Sequence, residues 1–242
     1  MTLTDDIFRI ASDADFEAAA LATFRRQAAE CPPYREYIAR IGRRADDVRT
    51  LRDIPFLPIE LFKTHEVYCG GTEPEAVFTS SATTGMTPSR HPMRSLALYE
   101  RAFRASFRAF YGDPARLSLY ALLPNYLRRK GSSLVYMADR LIGDCGSGGF
   151  YLDDYDALLE AMRNDPKPKI LLGVSYALWD LAERHAPKLR DTIVMETGGM
   201  KGYREEIPKE EFHRILCSAF GVAEIHSEYG MAELTSQAYS KG

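Results

Sequence analysis

Residues 169–199 read KILLGVSYALWDLAERHAPKLRDTIVMETGG, and this run decides the fold class. Residues 169–173 are a short apolar run of strand length. Residues 176–185 space their apolar side chains as an amphipathic helix does, and 192–196 return to an apolar run. A strand, a helix and a second strand in so short a span form a βαβ unit, whose strands lie parallel.

Working outward, the alternation continues. Further strands are expected at 66–69, 76–79, 117–123 and 222–226, and further amphipathic helices at 95–111, 154–163 and 208–220. In 95–111, Leu96, Tyr99, Phe103, Phe107 and Phe110 share one face; 208–220 opens at Pro208 and closes at Gly221. The glycine-rich run 143–149 reads as a short loop. Upstream the pattern is helical. Phe16, Ala19, Ala20, Phe24 and Ala28 recur at helix spacing until Pro32 and Pro33 end the helix, and a second short helix, 34–41, stops at Gly42. The expected fold is α/β: a mostly parallel sheet flanked by helices over residues 66–242, with a helical N-terminal segment, 1–65, packed on it.

Composition narrows the function classes. The chain has 242 residues, 45% of them hydrophobic, and a formal net charge of -3. That mild acidity argues against a nucleic-acid partner, which calls for a basic face. The longest mainly apolar run, 170–179, is half the length of a membrane span. The start of the chain, with Asp5 and Asp6, lacks the layout of a signal peptide. Four scattered cysteines (Cys31, Cys69, Cys145, Cys217) and five dispersed histidines form no CxxC or HExxH. They fit a reduced, cytoplasmic protein without a structural zinc site.

Three segments carry candidate chemistry, each at the end of an expected strand. The first runs through Thr79, Ser80, Ser81, Thr83, Thr84 and Gly85 to Arg90. Small residues let backbone N–H groups face an anion, hydroxyls add donors and an arginine neutralises charge, which suits a phosphate. An ordinary polar turn between strand and helix has the same composition. The second is Gly198-Gly199-Met200, where paired glycines admit a flat ligand close to the backbone. The third is Ser227-Glu228-Tyr229-Gly230-Met231-Ala232-Glu233, with Tyr229 as a stacking face and Glu233 as a hard oxygen ligand for Mg²⁺. Taken singly, the last two read first as tight turns.

Together and in this order, the segments resemble the adenylate-forming superfamily of acyl-CoA synthetases and peptide-synthetase adenylation domains. The hydroxyl-rich loop is similar to its phosphate loop, Gly198-Gly199 to its adenine-side turn, and the stretch from Tyr229 to Glu233 to its YGxTE motif. Residues 54–63 (IPFLPIELFK) and Ser227-Glu228-Tyr229-Gly230 bring the chain closer to the acyl-protein synthetase of bacterial bioluminescence and its relatives. The resemblance covers about residues 50–242. It implies ATP and Mg²⁺ as cofactors and a small-molecule carboxylic acid, fatty or aromatic, as substrate, activated as an acyl-adenylate for a thiol acceptor, CoA or a protein cysteine. By the same resemblance residues 79–85 embrace the β- and γ-phosphates and Gly198, Gly199 and Met200 line one side of adenine. Tyr229 stacks on adenine, Glu233 reaches Mg²⁺, and Gly173, Val174 and Tyr176 line the acyl pocket. Thr79 and Glu233 stand as catalytic residues. Ala232 replaces the motif's threonine, and Ser89-Arg90 stands where many members have a lysine. In the superfamily a small C-terminal domain with a catalytic lysine follows the motif. The expectation is therefore the N-terminal portion of such an enzyme, with that lid domain absent.

Two rivals remain open on sequence. Gly173-Val174-Ser175-Tyr176-Ala177 is placed as a nucleophile elbow, and Asp191 with His213 or His226 gives the chain order of a serine hydrolase or acyltransferase. Ser175 alternatively caps the helix that follows. The other rival is a non-catalytic nucleotide-binding module, in which Arg128, Arg129 and Lys130 hold a phosphate or form a solvated loop.

Overall fold

The computed structural model describes residues 7–80, 87–124, 131–200 and 202–242, and the chain divides into two compact units, Met1–Leu98 and Tyr99–Gly242. The first contains the expected helices. Helix α1 (Asp13–Glu30) starts at Ser12, whose hydroxyl accepts the Asp15 N–H at 3.2 Å. Cys31 then leaves the helical region, and Pro32 and Pro33 open helix α2 (Pro32–Arg40), where a missing N–H costs nothing. Gly42, at φ 70°, ends the turn. Leu21, Phe24, Ala28, Tyr34, Ile38 and Val48 form the core of this unit. Phe24 meets Tyr34 edge to face at 6.1 Å, and the Tyr34 hydroxyl donates to the Pro55 carbonyl at 2.8 Å.

After the short helix α3 (Leu61–Thr64) comes a hairpin of strands β1 (Ala76–Thr79) and β2 (Arg90–Met93), paired antiparallel with Thr79 opposite Arg90. Strand β2 escapes a sequence reading because Pro92 sits inside it. The strand expected at 66–69 is not present. That segment pairs with no ladder and packs Val67 and Cys69 against the helical core instead. This placement brings Cys69 to Cys31, two of the cysteines that sequence spacing left apart. A hydrogen bond between the thiols draws Cys31 down to about 6 and pushes Cys69 up.

The second unit is the α/β layer. Helix α4 (Leu96–Tyr111) buries Tyr99, Phe103 and Phe107, while Phe110 stays 39% exposed. Then follow β3 (Ser118–Leu122), α5 (Ser133–Cys145), β4 (Gly148–Tyr151), α6 (Tyr155–Asn164), β5 (Lys169–Val174), α7 (Ser175–His185), β6 (Thr192–Thr197), α8 (Lys209–Phe220), β7 (Ile225–Tyr229) and β8 (Ala238–Lys241). The sheet order is β4-β3-β5-β6-β7-β8. The first five strands are parallel and β8 returns antiparallel to β7. Helix α5 packs on β3 and β4, α7 on β5 and β6, and α8 on β7 and α7. Every residue of β3 and β5 is buried, as strands covered on both faces must be. The α/β class with a mostly parallel, helix-flanked sheet is as expected.

Several elements differ from the sequence reading. Residues 143–149 close α5 at Gly146, φ 68°, and open edge strand β4 rather than forming a loop. The strand expected at 222–226 lies at 225–229, so Tyr229 ends a strand and does not follow one. Ser175 is the first residue of α7, buried, with Val174 in the capping position, so it does not cap the helix.

Candidate functional site

In the first unit, the hydroxyl-rich loop connects the two strands of the hairpin instead of a strand and a helix. Its stems are pinned: the Ser80 N–H donates to the Ser89 carbonyl at 3.1 Å, and the Ser89 N–H donates to Ser80 Oγ at 2.9 Å. Thr79 and Ser80 are half-buried and Arg90 is exposed. Those three are brought together at the hairpin end. Ser81, Thr83, Thr84 and Gly85 lie outside the described residues, as do Arg128, Arg129 and Lys130.

In the second unit the other segments meet at the carboxyl end of the parallel strands, where open α/β sheets bind ligands. The β6–β7 ladder pairs Glu196 with Ser227. Gly198 follows the last residue of β6 and Tyr229 is the last residue of β7, so the double-glycine turn and the tyrosine stand at the ends of adjacent strands. Gly198 and Gly199 are exposed with φ of 79° and 67°, conformations that favour glycine. Tyr229 is 58% exposed, and its hydroxyl donates to Met231 Sδ at 2.8 Å. Met200 is buried beneath the turn, its N–H donating to Glu206 Oε1 at 3.0 Å. Glu233 is half-buried in the turn after β7.

Other expected site residues sit deeper. The side chains of Ser227 and Glu228 are buried. Gly230 passes so close to Glu228 that an added Cβ would lie 2.8 Å from Glu228 Oε1. Gly173 and Val174 are core positions: a Cβ on Gly173 would lie 2.6 Å from Leu178 Cγ, so this glycine lets α7 pack on β5. Tyr176 does line a cavity of about 370 Å³ beyond the ends of β3 and β5, with Pro124, Asp153, Tyr155 and Tyr203. Its ring stacks on Tyr203 at 4.4 Å. The strand order reverses between β3 and β5, so this cavity lies at the topological switch point of the sheet.

A cluster around Glu196 went unseen in the sequence because its members are far apart there. The Ser175 hydroxyl donates to Glu196 Oε2 at 3.1 Å, and Lys209 Nζ and His213 Nε2 lie 3.9 and 3.7 Å from Glu196 Oε1. This arrangement contradicts the hydrolase reading. A nucleophile elbow exposes its hydroxyl, whereas Ser175 is 2% exposed and bonded to a carboxylate. Asp191 lies just before the start of β6, at the opposite edge of the sheet from Ser175, and its carbonyl accepts the Lys169 N–H. His226 is held between Tyr111 and Glu224.

Burial lowers the pKa of His213 below its ordinary 6.5, against the upward pull of Glu196. The folded chain therefore keeps His213 neutral where the unfolded chain takes up a proton. This contribution to stability is fully present above pH 6.5 and is lost as the pH falls through the folded-state value. Denaturation midpoints measured between about pH 5 and 8 should fall on the acid side, and His213→Gln should flatten that slope. An unchanged slope in the variant would assign the acid sensitivity to other groups.

Among the described residues no group of three His, Cys, Asp or Glu forms a metal cage, and no helix is long and apolar enough to cross a membrane. No family model matches the chain, and none of the curated proteins matches it by sequence. Solved structures do. The chain is similar to the ATP-bound RpMatB-BxBclM chimera B1, with a TM-score of 0.52 and 18% sequence identity, covering 87% of this chain and 41% of that one. It is also similar to ATP-bound MatB from Rhodopseudomonas palustris, with a TM-score of 0.49 and 17% identity over the same shares. The likeness to the chimera is one of fold, and this chain spans about two fifths of that protein's length.

Proposed function

We propose that this chain binds ATP with its adenine at the ends of β6 and β7. As part of an adenylate-forming ligase, it activates a carboxylic acid for transfer to a thiol. The observation that carries this reading is that an exposed aromatic ring, Tyr229, and a glycine turn, Gly198-Gly199, stand at the carboxyl ends of two adjacent parallel strands. The solved neighbour with the same fold is ATP-bound, which supports it further.

In this reading Tyr229 stacks on the base and the Gly198-Gly199 backbone covers its other side. A carboxylate oxygen of the acid attacks the α-phosphorus, the bond to the β-phosphate oxygen breaks, and pyrophosphate leaves. A thiol then displaces AMP from the mixed anhydride. Tyr176 borders the space for the acid's side chain, and the mix of rings and charged groups there suits an aromatic acid. Mg²⁺ favours one or two protein carboxylates together with phosphate oxygens over a protein cage, so Glu233 alone fits that requirement. The ion, when bound, neutralises phosphate charge; Glu233 orients it.

Calorimetric titration with ATP·Mg tests the proposal. Saturable binding is expected, weaker in Glu233→Gln when Mg²⁺ is present and equal to the parent when Mg²⁺ is left out. Labelling of Ser175 by a fluorophosphonate without nucleotide binding would reverse the assignment in favour of a hydrolase.

A further inference from the structure

The ladder between β6 and β7 is registered from Val194 opposite Ile225 to Glu196 opposite Ser227. The next pair in that register is Thr197 and Glu228, only 5% and 6% exposed. Here the side chains are joined: the Thr197 hydroxyl donates to Glu228 Oε2 at 2.6 Å. One step further stand Gly198 and Tyr229. The bond therefore joins the residues that immediately precede the two groups between which the base is placed.

The carboxylate is confined from its other side as well. Gly230 leaves Glu228 Oε1 no space to spare, and the missing Cβ of that glycine would also lie 3.5 Å from the Gln237 side chain. Gln237, 7% exposed, donates from Nε2 to the hydroxyl of Tyr99 at 2.8 Å, and Tyr99 is wholly buried in α4. A short bond to an ionisable oxygen at a buried site is strong and directional. Glu228 is too deep to reach a ligand at the strand ends, so its chemistry acts through what it holds.

The geometry points to Thr197 and Glu228 as positioning residues, a side-chain clasp that fixes the spacing between the Gly198 turn and Tyr229 and so sets the slot for a planar base. This inference rests on the nucleotide reading above. Without the clasp, the end of β6 beyond its last ladder pair loses its tie to β7, whose own end β8 holds through Tyr229 and Ala238, and the base meets a slot that must be ordered on binding.

The test compares the 242-residue chain with Thr197→Val, which keeps the shape of the side chain and removes the donor, and with Thr197→Ser, which restores it. Calorimetry with ATP·Mg reads affinity, amide hydrogen exchange at residues 198 and 199 reads the ligand-free slot, and thermal melting reads the fold. Thr197→Val is expected to bind roughly tenfold more weakly, from the usual contribution of a buried hydrogen bond. Exchange at 198 and 199 should rise, and Thr197→Ser should recover both. Should Thr197→Val fail to fold, Thr197→Ala takes its place with the same expectation. A merely structural role would lower the melting temperature and leave the affinity of the folded protein unchanged, which overturns the clasp. If the parent binds ATP and the variant binds equally with unchanged exchange, the clasp falls while the nucleotide reading stands. If the parent itself does not bind ATP, both fall.

Discussion

Gly148→Ala should remove most of the stability of the α/β unit. Gly148 has φ 104°, and an ideal Cβ there would lie 1.9 Å from the Leu119 carbonyl oxygen and 2.5 Å from its carbon. Leu119 is the ladder partner of Gly148, so the obstacle is the backbone of a wholly buried strand, and no side chain can turn aside. Backbone strain alone costs on the order of 1–3 kcal/mol. Forcing β4 off β3 adds enough to reach about 4–5 kcal/mol, a large part of the 5–15 kcal/mol typical of a domain. Chemical denaturation followed by circular dichroism measures it. Gly149→Ala is the control: its nearest neighbour would be Tyr151 Cε2 at 3.9 Å, and a change within about 1 kcal/mol is expected. A Gly148→Ala variant as stable as that control would mean that β4 does not pair with β3 in this register.

The largest functional effect is expected at Tyr229. Stacking of a base on an aromatic side chain is worth on the order of 1–3 kcal/mol, so Tyr229→Ala should weaken ATP binding roughly ten- to a hundredfold. Tyr229→Phe keeps the ring and loses only the hydroxyl contact with Met231, so it should bind almost as the parent does. Because Tyr229 is 58% exposed, neither change should disturb the melting temperature much. Titration with ATP·Mg decides: equal affinity in Tyr229→Ala removes the ring from the site.

What the sequence made legible follows from how each element is buried. β3 and β5 are covered on both faces and so appear as unbroken apolar runs, and α4 and α6 to α8 bury one stripe each and show helical spacing. β4 is an edge strand that begins with Gly148 and Gly149, residues that mimic a loop, and β2 contains a proline that edge pairing tolerates. β8 is short and mostly exposed, with only Tyr239 buried, so it carries no apolar signature. Helix α5 buries Met137, Ala138, Leu141 and Cys145 at helix spacing, and its pattern runs into the glycine-rich residues 143–149 that mimic a loop. For the site, the motif order correctly placed Gly198 and Tyr229 at strand ends. That their strands are neighbours depends on the pairing of β6 with β7, which no local pattern encodes. The Thr197–Glu228 bond and the contacts of Glu196 join residues from different strands and helices, and side-chain chemistry alone does not reveal such partners.

The pairing of Tyr229 with Ala238 across β7 and β8 has one more consequence. It closes residues 230–237 into a loop whose two ends are fixed by the sheet. The entropic cost of such a closure grows only with the logarithm of its length, by about 0.6 kcal/mol for each doubling. Insertions or deletions in this loop can therefore move Glu233 by several ångströms while Tyr229 stays where the ladder holds it. The grip on the base and the reach of the acidic residue are separable in evolution, one tied to the sheet and the other free to vary with loop length.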